Sequence, residues 1–213
     1  MCYTRMMKTS KRRRFKRRRL RLFPKLLFLV LLIFGIFFYR NIEANNSASP
    51  AVLAEQQKNM LQYNFIREIA PFAQKNAQEN HVLASIILAQ ACLESDFGQS
   101  TLASKYHNLF GIKSYGDVPT VSLDTQEYEN SQWITIKGNF RVYPDFESSV
   151  NAHTQLFLNG TTWNPNQYAS VLAATDYKTA ALAVQNSGYA TDPTYAEKLI
   201  QMIETYRLNA YDQ

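Results

Sequence analysis

The stretch Val82–Leu93 (VLASIILAQACL) is apolar on nearly every face. A helix without a polar side has to be enclosed by other elements. Twelve residues of helix reach about 18 Å, too short for a hydrocarbon core of about 30 Å. The run therefore predicts a helix in the middle of a globular core, and the rest of the domain has to wrap around it. It leads into Glu94-Ser95-Asp96-Phe97-Gly98, where Gly98 supplies a helix stop. Glu94 shares a helical stripe with Ile87 and Ala91. A carboxylate thus stands at the end of a buried helix. Partial desolvation and the negative end of the helix dipole both push its pKa up. A carboxyl group that keeps its proton near neutral pH is what a general acid requires. A solvated helix-end glutamate fits the same position, and position alone leaves both readings open. Asp96 lies past the apolar run and is the wetter of the two acids.

Charge divides the chain into two parts. The formal net charge of the 213 residues is +6. Residues 1–40 hold 13 Lys and Arg and no acidic residue, whereas residues 41–213 hold 10 Lys and Arg against 17 Asp and Glu. The basic run Lys11–Arg19 is followed by Arg21 and Lys25, and an apolar run from Leu26 to Tyr39 comes next. Those fourteen residues span about 21 Å as a helix; counted from Leu20 they become twenty, with Arg21 and Lys25 snorkelling towards headgroups. The expected organisation is a basic cytoplasmic segment (1–25), a transmembrane signal anchor (26–40), a polar spacer (41–52) and a catalytic domain (53–213). The excess of positive charge places the N-terminus in the cytoplasm and the domain on the cell-wall side of the cell membrane. A cleaved signal peptide and a secreted product is the alternative. The basic run abuts an apolar segment, so its expected partner is anionic membrane lipid and not nucleic acid. With Cys2 inside and Cys92 outside, the two cysteines cannot pair, and Cys92 reads as a buried free thiol.

Past the spacer, helical spacing runs through Val52–Tyr63 and again through Phe65, Ile69, Phe72 and Ala73, with Pro71 marking a first turn or a kink. From about Asp117 the periodicity changes. Val118–Tyr128 and Trp133–Val142 are rich in β-formers, and Glu129–Gln132 supplies the turn of a hairpin. Asp145 and Asp176 are N-caps for the helices that follow, and Asp192-Pro193 opens a last one from Thr194 to about Leu208. The fold class is α+β: mostly helical, with a small antiparallel β-lobe inserted between helical parts and a transmembrane helix in front.

The exported part carries eleven tyrosines and both tryptophans. Aromatic faces stack on sugar rings and phenols bond their hydroxyls, although most of these rings have to serve the core. His81, His107 and His153 lack metal-ligand spacing, and no phosphate loop or nucleophile elbow is present. No metal or cofactor is implied. Carboxylate chemistry on an uncharged or cationic ligand remains.

Several motifs, in order, carry a resemblance. They are Ala89-Gln90-Ala91-Cys92-Leu93-Glu94-Ser95-Asp96-Phe97-Gly98, Asn108-Leu109-Phe110-Gly111-Ile112-Lys113, Thr125-Gln126-Glu127-Tyr128-Glu129-Asn130, Phe140-Arg141-Val142-Tyr143 and Gly188-Tyr189-Ala190-Thr191-Asp192-Pro193-x-Tyr195. Together they resemble bacterial peptidoglycan endo-β-N-acetylglucosaminidases of glycoside hydrolase family 73, which have a lysozyme-like fold. The resemblance covers about residues 60–208. It implies that Glu94 is the general acid, Glu127 the second catalytic carboxylate and Tyr189 a supporting residue in the cleft. It further implies substrate contact at Asn108, Phe110, Gly111, Tyr128 and Asp192. Ser131 replaces a frequent glycine in the hairpin turn, and Cys92 stands where a small or apolar residue is usual.

The implied function is a membrane-anchored cell-wall hydrolase that cuts the β-1,4 bond after N-acetylglucosamine in peptidoglycan. Glu127 is then a base for water, a nucleophile or an electrostatic stabiliser, depending on how far the carboxylates stand apart. Attack by the substrate's own N-acetyl oxygen is a further route. A lytic transglycosylase or muramidase of the same superfamily is the nearest alternative. A wall-binding scaffold with an inactive hydrolase fold is another, and the presence of both glutamates speaks against it.

Overall fold

The computed structural model describes residues 32–41, 49–129 and 132–213, the side chains of residues 126–129 and 133 excepted. The basic segment and most of the expected anchor and spacer lie outside the described residues. Residues 32–41 are helical (α1). Among the described residues no helix is long and apolar enough to cross a membrane.

The remaining elements are α2 (Pro50–Asn80), α3 (Ala84–Ser95), α4 (Thr101–Tyr106), strands β1 (Thr120–Glu129) and β2 (Gln132–Arg141), α5 (Phe146–Asn159), α6 (Ala169–Leu172), α7 (Tyr177–Asn186), α8 (Tyr195–Tyr206) and a closing 3-10 turn at Leu208–Tyr211. The order is helices, one antiparallel hairpin, then helices, the α+β arrangement expected. The hairpin is the whole sheet among the described residues. Its strands pair from Thr120 opposite Arg141 to Glu129 opposite Gln132.

The apolar run is the central helix α3, ten of whose twelve residues are buried. Ile66, Ile69 and Ala73 of α2, Leu199 and Ile203 of α8, and Leu208 belong to the same core. The first turn of α3 is capped from far away: Asp212 Oδ1 accepts the Ser85 N–H at 2.7 Å. This satisfies an N–H that a helix start leaves open. At the other end, the Ser95 hydroxyl is buried between the Ala91 carbonyl and the Gly98 N–H. Gly98 has φ +78°, and a Cβ there would stand 2.7 Å from the Phe65 ring. The helix itself ends earlier than expected, with Asp96 as its left-handed cap.

Three local expectations are corrected. The stretches on either side of Pro71 form one continuous helix, α2, in which Pro71 is interior. Buried positions 62, 65, 66, 69, 70, 73 and 76 keep helical spacing straight through the proline. Packing of that one stripe outweighs the cost of the missing N–H. Residues 50–52, expected in the spacer, are the first turn of α2. The last helix starts at Tyr195, with Thr194 as its cap. The caps at Asp145 and Asp176 are as expected, accepting from Ser148 N and from Lys178 N and Thr179 N. Cys92 is a buried free thiol, and burial pushes its pKa up.

Candidate active site

Glu94 occupies the last turn of the core helix and opens into a cleft of about 840 Å³. The opposite walls come from the segment Phe110–Lys113, from Thr125, Phe140, Arg141 and Tyr143 around the hairpin, and from Gly188–Ala190 before α8. Glu94 is exposed to the cleft, yet protein crowds the rest of its carboxyl group. Desolvation raises its pKa above the usual glutamate value, while a hydrogen bond from Tyr195 and the charge of Lys198 pull in the other direction. The upward direction prevails, and the helix's negative end adds to it.

A buried hydrogen-bond chain holds this carboxyl group. The Tyr195 hydroxyl donates to Glu94 Oε1 at 2.5 Å. Gln90, one helical turn before Glu94, donates from Nε2 to the Tyr195 oxygen at 3.1 Å. Gln90 Oε1 faces His153 Nε2 at 3.0 Å. Each link dictates the next. The one phenolic proton goes to Glu94, so Tyr195 accepts from the Gln90 amide, whose oxygen requires a donor. His153 therefore carries its proton on Nε2. Burial holds the His153 pKa down to about 3, which keeps the ring neutral. Its Nδ1 has no hydrogen-bond partner among the described residues. The ring stacks on Phe110 at 4.0 Å and meets Tyr189 edge-on at 5.9 Å. Three helices, α3, α5 and α8, thus meet behind one carboxylate. With Oε1 occupied by Tyr195, Oε2 is the atom left to carry a transferable proton.

Tyr189 lines the cleft and stacks against Tyr195, with ring centroids 5.8 Å apart and planes 21° apart. Burial and the neighbouring Glu94 carboxylate push its pKa well up, so its phenol stays neutral. Phe110 and Gly111 also line the cleft. Two expected substrate contacts have other duties. Asn108 is buried; its amide donates to the Ile112 and Arg141 carbonyls, and its oxygen accepts the Ile112 N–H. Both of its donors are spent on backbone, so it shapes the wall and does not face the cleft. Asp192 accepts from the Thr194 N–H and hydroxyl and pairs with Lys198, which holds its pKa down to about 2. It organises the entry to α8. Glu127 and Tyr128 lie on β1, their backbones opposite Ile134 and Trp133; their side chains are outside the described residues.

The residues that sequence reasoning left without a role are Gln90, His153, Tyr195, Tyr143 and Trp163. Gln90 carried a local signal, four residues before Glu94 and on its face, and Tyr143 and Tyr195 each stand at the end of a motif that carries the resemblance. No cluster of metal-ligating side chains occurs among the described residues.

A family model described as mannosyl-glycoprotein endo-beta-N-acetylglucosaminidase, with the short name Glucosaminidase, matches residues 70–208. The chain belongs to this glucosaminidase family. It is 40% identical over 203 residues to the Exo-glucosaminidase LytG of Bacillus subtilis (strain 168), covering 95% of this chain and 70% of that protein. It is 38% identical over 146 residues to the Peptidoglycan hydrolase FlgJ of Escherichia coli (strain K12), covering 66% of this chain and 45% of that one. The catalytic domain of the autolysin Auto from Listeria monocytogenes superposes with a TM-score of 0.66 at 32% identity, over 82% of this chain and 95% of that domain. The glucosaminidase is a glycoside hydrolase with the lysozyme-like fold that its motifs imply.

Proposed function

We propose that this glucosaminidase is a cell-wall hydrolase that cleaves the β-1,4 bond after N-acetylglucosamine in peptidoglycan glycan strands, with Glu94 as general acid. The observation that carries the reading is the setting of Glu94. It is a carboxyl group with a raised pKa, open to a cleft on one side and fixed by the Tyr195 hydroxyl on the other. Relatives described as an exo-glucosaminidase, a peptidoglycan hydrolase and an autolysin support the substrate class.

Protonated Glu94 gives its proton to the glycosidic oxygen as the C1–O bond breaks, and positive charge spreads over C1 and the ring oxygen. Glu127 is the second carboxylate that the family motif implies, and it lies on β1 two residues after Thr125, which lines the cleft. Its role is to stabilise the developing charge or to take a proton from the water that completes the reaction at C1. The neutral phenols of Tyr189, Tyr168 and Tyr143 line the cleft and suit the hydroxyl and acetamido groups of an uncharged sugar. The basic N-terminus and the apolar run behind it anchor the enzyme in the cell membrane, with the catalytic domain on the wall side.

The test is digestion of purified peptidoglycan by the full-length chain, followed by borohydride reduction and mass spectrometry. Reduced N-acetylglucosamine ends are expected. Anhydro-muramic ends would make the enzyme a transglycosylase, and reduced muramic ends a muramidase. Glu94→Gln should abolish release while the protein stays folded; normal release by that variant would refute the assignment of the acid. The mass of the membrane-fraction protein reports whether the anchor is retained.

A further inference from the structure

We infer that Trp163 and the hollow behind it form a second saccharide-binding site, which grips the glycan strand beyond the rings in the catalytic cleft. The inference rests on the glycan-hydrolase reading above. A separate hollow of about 600 Å³ lies beside the cleft, with Trp163, Asn164, Gln167, Thr179, Asn186 and Ser187 among its lining. Trp163 and Gln167 line both spaces. Along the chain, Asn186 and Ser187 belong to the hollow, and the next residues, Gly188 to Ala190, belong to the cleft. The two sites therefore share a ridge and are continuous for a strand that crosses it.

Trp163 is 79% exposed, and the loop that carries it is tightly built. Gly160 at its start has φ +64°, and a Cβ there would meet the Asn164 carbonyl at 2.3 Å. Thr161 and Asn164 exchange backbone hydrogen bonds of 3.0 and 3.2 Å. The Thr161 hydroxyl donates to Gln167 Oε1 at 2.7 Å, and Gln167 Nε2 donates to the Ser187 carbonyl at 2.8 Å. The loop is tied to itself and to the end of α7. An indole held in water by a fixed loop keeps a flat apolar face ready for a ligand at little further cost in ordering. The lining of the hollow selects the ligand. Every described residue of it is uncharged, with amides and hydroxyls beside the Trp163 and Leu182 side chains. The Asn186 side-chain amide and the Ser170 hydroxyl, which make no hydrogen bond among the described residues, match the hydroxyl and acetamido groups of a hexosamine, and the indole matches the C–H face of its ring. A charged peptide stem would find no counter-ion there.

The experiment compares β-1,4-linked N-acetylglucosamine trimers and hexamers as substrates for the full-length enzyme. The readout is the ratio of kcat/KM on the hexamer to that on the trimer. Trp163→Ala is expected to lower this ratio about tenfold, as loss of one aromatic–sugar stack would, and Trp163→Phe to restore most of it. Asn186→Ala, which lies outside the loop, is expected to lower the same ratio less and keeps the test intact if Trp163→Ala fails to fold. In the Glu94→Gln background, the hexamer should change tryptophan fluorescence, and Trp163→Ala should remove most of that change. An unchanged ratio in both Trp163→Ala and Asn186→Ala overturns the second site. A wild-type enzyme that cleaves neither oligomer nor peptidoglycan overturns the hydrolase reading instead.

Discussion

Replacing Tyr195 by Phe removes one oxygen atom and tests whether the buried chain sets the acidity of Glu94. The lost hydroxyl donates to Glu94 Oε1 at 2.5 Å and so favours the charged carboxylate. A hydrogen bond to a charged group contributes about 1.5–3 kcal/mol. Glu94 is open to cleft water, which replaces part of the lost donor, so the lower end applies. At about 1.4 kcal/mol per unit of pKa, the carboxyl group should rise by about one unit. The alkaline limb of kcat against pH reports the acid that must hold its proton in the bound complex. The expected profile for Tyr195→Phe has that limb displaced upwards by about one pH unit. The substitution also strands the Gln90 amide N–H in the core, at a cost of about 1–3 kcal/mol of stability. Rates therefore have to be taken well below the variant's unfolding temperature, with the folded fraction checked by circular dichroism. An alkaline limb that stays in place or moves to lower pH would refute the claim that Tyr195 acts on Glu94 through this bond.

Glu94→Gln should be more heat-stable than wild type at pH 7. Burial raises the folded-state pKa of Glu94 above its unfolded value, so the native state binds the proton more tightly. That contribution is fully present below the unfolded pKa of about 4.3 and is lost as pH rises through the folded value. Glutamine suffers no such loss, so the difference in Tm should be largest at neutral pH and vanish below about pH 4; a constant difference across that range would contradict the desolvation account. At the other end of the same helix, Asp212→Ala should cost about 1 kcal/mol, or about 2–4 °C in Tm, because it uncaps the Ser85 N–H. Asp212→Asn keeps an acceptor and should retain most of that stability in a thermal melt.

What could be read from the sequence was what neighbouring residues determine. The run Val82–Leu93 announced a core helix because it offers water no face, and Glu94 followed from its place on that helix. Asp145 and Asp176 announced helix starts because a cap acts within three residues. Pro71 left a first turn and an interior kink both open because its effect is local, whereas the stripe from Gln62 to Asn76, which carries the helix through it, packs on a distant core. The resemblance names Asn108 and Asp192 as substrate contacts, and the structure gives each of them structural partners that the motif does not announce. The backbone groups that satisfy Asn108 lie as far away as Arg141, beyond any local pattern. Asp192 is engaged nearer by, with the start of α8 and Lys198. The chain from His153 through Gln90 and Tyr195 to Glu94 joins residues up to 105 positions apart, and spacing alone could not assemble it.

The acid stands on the central core helix, against which α7, α8 and the closing 3-10 turn pack. Floor and foundation are the same element, so a substitution on the buried face of that helix reaches the chemistry and the fold together, whereas Glu94 itself, open to the cleft, can be changed with the fold kept. The Trp163 loop, whose indole is exposed, carries no such double duty. Descendants of this enzyme can therefore change which strands they accept by revising that loop, while the floor is held in place by the need to fold at all.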